Sequence, residues 1–157
     1  KFRKGHFKGV LNVVNRLLDI TQPKYLFLGK KDYQQLYLIS EHVKKNNIQT
    51  KIIACKTIRE NNGMACSTRN ENIQKKHIKI ASKVYWYMRK KKKIIKKNLK
   101  NFNYLNLKKD LIKLVLKKID YIKLYNIKTF NKPKKKSENF RIFVAYYLGN
   151  IRLIDNI

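Results

Sequence analysis

A chain of 157 residues with 43% apolar side chains can build one ordinary domain, or two small ones, around a real core. Its 39 Lys and Arg against 9 Asp and Glu give a formal charge of +30, which would ordinarily point to nucleic acid or an anionic surface. Lysine supplies most of the excess beside abundant Asn and Ile, the set that A/T-rich codons encode. Arginine, the residue of bidentate phosphate and base recognition, is scarce, so compositional drift ranks ahead of specific nucleic-acid binding.

In chain order, Val10, Leu11, Val13, Val14, Leu17 and Leu18 form a broad apolar stripe, predicting a helix over 7–20 that lies against a sheet. Gln22-Pro23 ends it, because proline cannot continue a helix. The apolar run Tyr25 to Leu28 reads as a buried strand that stops at Gly29 and two cations. Leu36, Ile39, Ser40 and Val43 then recur at helical spacing, predicting a helix over 33–46, and a second apolar strand follows over 50–55. Together these make a parallel βαβ unit, whose ligands sit beyond the carboxyl ends of the strands.

The strand-Gly-Lys-helix junction is an anion site by default, since unpaired backbone N–H groups and the helix dipole point beyond the strand. Asp32 followed by Gln35 also fits a capping box, which needs no ligand. Both readings stand at this point.

From residue 56 the character shifts, and Asn61-Asn62-Gly63 is a strong turn signal. A helix is predicted over 73–93, with Ile78, Ala81, Val84, Tyr85 and Met88 on one face, and another over 107–118 through Leu107, Leu111, Leu114 and Val115. The runs Lys90 to Lys93 and Lys132 to Lys136 read as solvated faces or loops. Residues 121–127 alternate weakly, 140–148 are rich in β formers, and Gly149-Asn150 predicts a hairpin turn with glycine first. The expected architecture is α/β: a parallel βαβ portion over 1–56, then a small α+β module with antiparallel strands over 57–157.

Cys55 and Cys66 lack metal-ligand spacing and read as free cytosolic thiols. No metal site is expected from side chains. No apolar run approaches 18 residues and no signal-peptide pattern opens the chain, so neither membrane insertion nor export is expected. His6 precedes a helix and reads as structural, His42 and His77 as solvent-facing among lysines, Arg3 as an exposed arginine, and Asp155 as an end-of-strand carboxylate. Trp86 and the tyrosines read as packing residues, without the stacked pattern of an RNA-binding sheet.

Four ordered segments are more specific than any one of them: Gly5-His6-Phe7-Lys8-Gly9-Val10, then LGKKDYQQL over 28–36, then KTIRENNGMACSTRN over 56–70, and IRLIDN over 151–156. They resemble the pantothenate synthetase (pantoate-beta-alanine ligase) family, with its GHFRGV-like helix start, FGEKDxQQL element, P-x-x-RE-x-DG-x-A-x-SSRN loop and terminal RLIDN. The resemblance implies a Rossmann-like nucleotidyltransferase domain followed by a lid domain. It implies ATP with Mg2+, the small molecules pantoate and beta-alanine, and a cytoplasmic homodimer. Specific nucleic-acid and membrane partners are not implied.

Carried over by resemblance, Gly29, Lys30, Lys31 and Asp32 bind ATP: Gly29 lets a ligand approach the backbone, Lys31 meets phosphate and Asp32 accepts ribose hydroxyls. Lys30 stands where the family has Glu. Gln35 corresponds to the pantoate-binding glutamine, and Ile58 to an apolar residue against adenine. Cys66, Ser67, Thr68 and Arg69 correspond to the second nucleotide element, with Lys31, Ser67 and Arg69 as the catalytic set. Thr68 for Ser keeps a hydroxyl, and Cys66 replaces Met or Leu.

Roughly the first half of such an enzyme, with its HIGH-type motif, would precede Lys1. Residues 1–157 alone are therefore expected to be poorly soluble or partly molten, and not to form pantoyl adenylate. The competing classes are a basic nucleic-acid-binding module and an inactive relative of the ligase.

Overall fold

The structure is a computed structural model and describes residues 5–114, 118–135 and 137–157. The chain divides into two compact units, which part between Thr57 and Ile58.

In the first unit, α1 (His6–Thr21) is followed by β1 (Tyr25–Gly29), α2 (Tyr33–Lys45) and β2 (Lys51–Cys55). The break after α1 comes at Gln22, whose left-handed backbone (φ 40°) closes the helix by donating its N–H to Leu18 O at 2.9 Å, one residue before Pro23. Strands β1 and β2 pair in parallel from Tyr25 with Lys51 to Gly29 with Cys55. Parallel strands need a crossover, and α2 supplies it.

Leu18, Ile39 and Val43 form the buried centre of this unit, with Val10, Leu11, Val14, Leu26, Leu28, Ile48 and Ile52 packed around them. That cluster covers one face of the sheet. Tyr25 and Phe27 point the other way and are exposed, as period-two geometry requires.

His42 is not solvent-facing as expected. It is half-buried and meets Asn15 Oδ1 at 2.7 Å through Nε2, with Asn46 Nδ2 3.2 Å from its other ring nitrogen, so it links α2 to α1. The sequence pattern cannot show this because Asn15 lies 27 residues away.

The second unit packs α3 (Lys75–Lys97) and α4 (Tyr104–Lys113) on one face of an antiparallel sheet of β3 (Lys118–Asn126), β4 (Phe140–Leu148) and β5 (Ile151–Asn156), in the order β3-β4-β5. Ala81, Val84, Met88 and Ile95 of α3, and Leu107 and Leu111 of α4, meet Ile122, Leu124, Ile142, Val144, Tyr146 and Leu153 of the sheet. Each Val, Leu, Ile or Met among them contributes about 1.5–3 kcal/mol on full burial. The β4-β5 turn places Gly149 at φ 58°, the positive φ that a two-residue hairpin with glycine first demands.

Four expectations shift here. Helix α3 runs to Lys97, past its expected end at Lys93. Lys91 reaches Asp110 of α4 at 3.3 Å, and burial together with Arg141 and Lys96 lowers the pKa of Lys92. Strand β3 starts at Lys118, earlier than its alternation suggests, because a bulge between Ile119 and Tyr121 interrupts the pattern. His77 is half-buried, with its ring beside Gly149 of the hairpin turn. Trp86 is half-exposed, edge-on to Tyr85 and beside Arg89, rather than packed in the core. Val115, Lys136 and Arg3 lie outside the described residues.

Candidate functional site

At the carboxyl end of β1, Gly29 is extended (φ −72°, ψ 131°), a conformation open to any residue, and a Cβ built on it meets nothing within 4 Å. Neither backbone strain nor packing among the described residues calls for glycine there. A single 3-10 turn, Lys30–Asp32, follows at once and carries both cations, half-buried, into α2. Cys55 stands beside Gly29 in register, so the two strand ends open together.

The capping-box reading does not hold. Asp32 occupies the N-cap of α2 without a side-chain cap hydrogen bond, and its backbone (φ −96°, ψ 54°) departs from the extended geometry that aims a cap back at the helix. The intervening 3-10 turn is the cause. Asp32 is exposed and Gln35, within the first turn of α2, is half-buried.

In the second unit, residues 58–70 form a fastened loop. Arg59 bridges Ala65, Cys66 N–H donates to Ile58 O at 3.0 Å, and Glu60 N–H donates to Met64 O at 2.8 Å. Asn62 Oδ1 accepts from Met64 N–H at 2.9 Å, the Asx turn that the Asn-Asn-Gly signal promised. Gly63 lies at φ 90°, and a Cβ there would collide with the Tyr85 ring at 2.2 Å; glycine is required. On the far side, Asn70 Nδ2 donates to Glu60 Oε1 at 2.6 Å and Ala65 O at 3.0 Å.

Held at both ends, the segment between is presented outward. Cys66, Thr68 and Arg69 are exposed and Ser67 half-buried. Ser67 Oγ accepts the Arg69 N–H at 3.3 Å to cap the short 3-10 turn Thr68–Asn72, while its hydroxyl hydrogen can still donate. Ile58, the residue expected against a base, is 76% exposed.

The strongest ion pair of the loop is one that sequence reasoning left without a role. Arg59 donates from Nη1 to Asp155 Oδ2 at 2.8 Å and from Nη2 to Asp155 Oδ1 at 2.9 Å, and Nη1 also reaches Gly63 O at 3.0 Å. Burial lowers the pKa of Arg59, but the hydrogen bond and charge of Asp155 leave it raised overall. Asp155 is thus an end-of-strand carboxylate that holds a loop. The neighbouring Arg152 donates from Nε to Asp120 at 2.7 Å, and Asn156 is buried and accepts from Arg141. His6, at the start of α1, is exposed and contacts the Phe7 ring.

The predicted residues therefore fall into two groups, each assembled within its own unit: Gly29, Lys30, Lys31, Asp32 and Gln35 in the first, Ile58 and Cys66–Arg69 in the second. Chemically, the first offers cations and an open backbone, the second a hydroxyl, a guanidinium fork and an apolar surface.

The chain matches the family model described as pantoate-beta-alanine ligase over residues 1–157. Pantothenate synthetases of Francisella tularensis, subspecies novicida and tularensis among them, are 40% identical to it over 156 residues, 99% of the chain and 51% of the relative. The chain thus spans about half the length of the curated relatives it matches. A crystal structure of the Thermus thermophilus enzyme has a TM-score of 0.87 at 28% identity, covering 99% of this chain and 57% of that one. The pantoate-beta-alanine ligase from Francisella tularensis complexed with beta-gamma ATP and beta-alanine has a TM-score of 0.71 at 39% identity, covering 99% and 51%.

Proposed function

Because the chain belongs to the pantoate-beta-alanine ligase family, we propose that the complete protein condenses pantoate with beta-alanine at the expense of ATP, and that this chain supplies both nucleotide-contacting groups of residues. A carboxylate oxygen of pantoate bonds to the α-phosphorus of ATP as the bond to the β-phosphate oxygen breaks and pyrophosphate leaves. The beta-alanine amine then bonds to the acyl carbon of pantoyl adenylate, loses a proton, and AMP departs.

The difficulty of the first step is charge. A carboxylate and a triphosphate repel, so cations and donors must hold the reacting oxygen in line with phosphorus. Lys31 and Arg69 supply charge to the phosphates, and Ser67 a hydroxyl hydrogen. Asp32 accepts from ribose, Ile58 packs on adenine, and Gln35 both donates to and accepts from the hydroxyacid. Cys66 and Thr68 complete the outward segment. Lys30 adds a cation where the FGEKDxQQL element that the segment resembles has Glu.

The observation that carries the reading is Gly29: open space, ordinary backbone and two adjoining cations at the carboxyl end of a parallel strand. On this reading, residues up to 56 belong to a nucleotide-binding domain and residues from 57 to a lid. Magnesium would accompany the nucleotide, because Mg2+ keeps water and substrate phosphates as ligands. Among the described residues no three His, Cys, Asp or Glu side chains cluster, so no protein cage is assigned to it. The same reading makes the protein a cytoplasmic homodimer.

The test is substrate dependence in the complete protein. Pyrophosphate release should require ATP and pantoate together. Gln35→Ala should raise the pantoate KM about 10-fold or more, the scale of losing hydrogen bonds to a polar substrate, with a smaller effect on the ATP KM. Equal effects on both would mean that helix stability, not pantoate binding, was lost.

A further inference from the structure

We propose that Arg59 and Asp155 are positioning residues that set the orientation in which the outward segment Cys66–Arg69 meets the nucleotide; this rests on the functional reading above. Neither side chain reaches outward itself. Both are mostly buried, at 19% and 12% exposed, and they meet through two parallel N–H to oxygen contacts of 2.8 and 2.9 Å.

The pair fastens three parts of one unit. Arg59 Nη1 donates to Gly63 O at 3.0 Å, and the guanidinium lies 4.4 Å from the centre of the Tyr85 ring on α3. Gly63 faces that same ring. Asp155 is in turn aimed by backbone: its Oδ1 accepts the Asn156 N–H at 2.7 Å, and its residue stands in register with Val144 of the central strand β4. A second tether, Ser82 Oγ donating to Asn62 O at 2.7 Å, ties the same turn to α3. The nucleotide segment begins at Cys66, directly after the Arg59 to Ala65 bridge.

The chemistry explains why arginine and aspartate stand here. A planar fork satisfies both carboxylate oxygens and the Gly63 carbonyl together, whereas a lysine ammonium keeps the charge without that fixed geometry. The same loop also places Met64 in the cluster of α3, α4 and the sheet, so stability is read beside the kinetics to separate positioning from packing. A displacement of order 1 Å at reacting groups can cost about 10²-fold in rate.

In the complete protein, Arg59→Lys and Asp155→Asn should each raise the ATP KM about 10-fold or more, with the pantoate KM at saturating ATP moving less than about 2-fold. The double variant should be no worse than either single one, because both remove the same contact. Melting by circular dichroism is recorded alongside. A lowered melting temperature with an unchanged ATP KM would overturn the positioning role, leaving the pair as a brace for the fold alone. If Arg59→Lys does not fold, Asp155→Asn carries the same comparison. If the unaltered protein releases no pyrophosphate from ATP and pantoate, the functional reading fails first, and this inference with it.

Discussion

The two units of this chain solve the burial problem to different degrees. Among the described residues, the second gathers sixteen buried apolar side chains into one cluster spanning two helices and three strands, whereas the first buries three in its own. In the first unit the apolar stripe of α1 is wider than its partners can cover: Val13, Leu17 and Ile20 are exposed, as are Tyr25 and Phe27 on the open face of β1. Parallel strands are ordinarily covered on both faces, and here the helices cover one. A small two-strand sheet with one helical layer has little apolar area to set against chain entropy, while the second unit has a complete two-layer core.

That contrast is breakable. Trp86, the one tryptophan of the sequence, lies in the second unit, so its fluorescence reports that unit alone in the 157-residue chain. Ile142→Ala, at a position fully buried in the centre of the sheet, should reduce the urea stability seen by Trp86 by about 2–5 kcal/mol. Leu17→Ala, on the exposed stripe of α1, should leave it within about 0.5 kcal/mol. Comparable losses from both would mean that the units share one cooperative core.

A smaller effect sharpens the picture within the second unit. Hydrogen bonds from Asn126 and from the backbone N–H groups of Lys134 and Lys135 hold the pKa of Glu138 below its usual range, and bonds from Tyr87 and Lys91 do the same for Asp110. A depressed carboxyl contributes stability above its unfolded value, about 4, and loses it as pH falls through the lower folded value. Acid should therefore weaken the second unit below about pH 4, and Glu138→Gln should make that slope shallower. Solvent exposure of both groups keeps the effect small. An unchanged slope would remove the Glu138 clasp from the account.

Much of the fold was legible because it is written in local periods. The helix over 33–46, the strands over 25–28 and 140–148, and the glycine-first hairpin all follow from spacing and turn chemistry. What was not legible is non-local. The bulge in β3 hides its start, and Asp120 at that point is explained by Arg152, 32 residues away. Arg59 and Asp155 are separated by 96 residues, so no period relates them; their only sequence signal is that each lies within one of the four ordered motifs. The Asp32-Gln35 spacing satisfied a capping rule that the backbone, turned through 3-10 geometry, does not use.

We propose that Lys31 and Arg69 both act in the ATP-dependent step of the complete protein. That proposal is tested most directly by measuring pantoate-dependent pyrophosphate release for Lys31→Ala and Arg69→Ala in the complete protein. The account predicts that each variant folds and loses about 10²-fold or more, the scale of removing one preorganised charge-stabilising donor. Near wild-type release from either variant would contradict it.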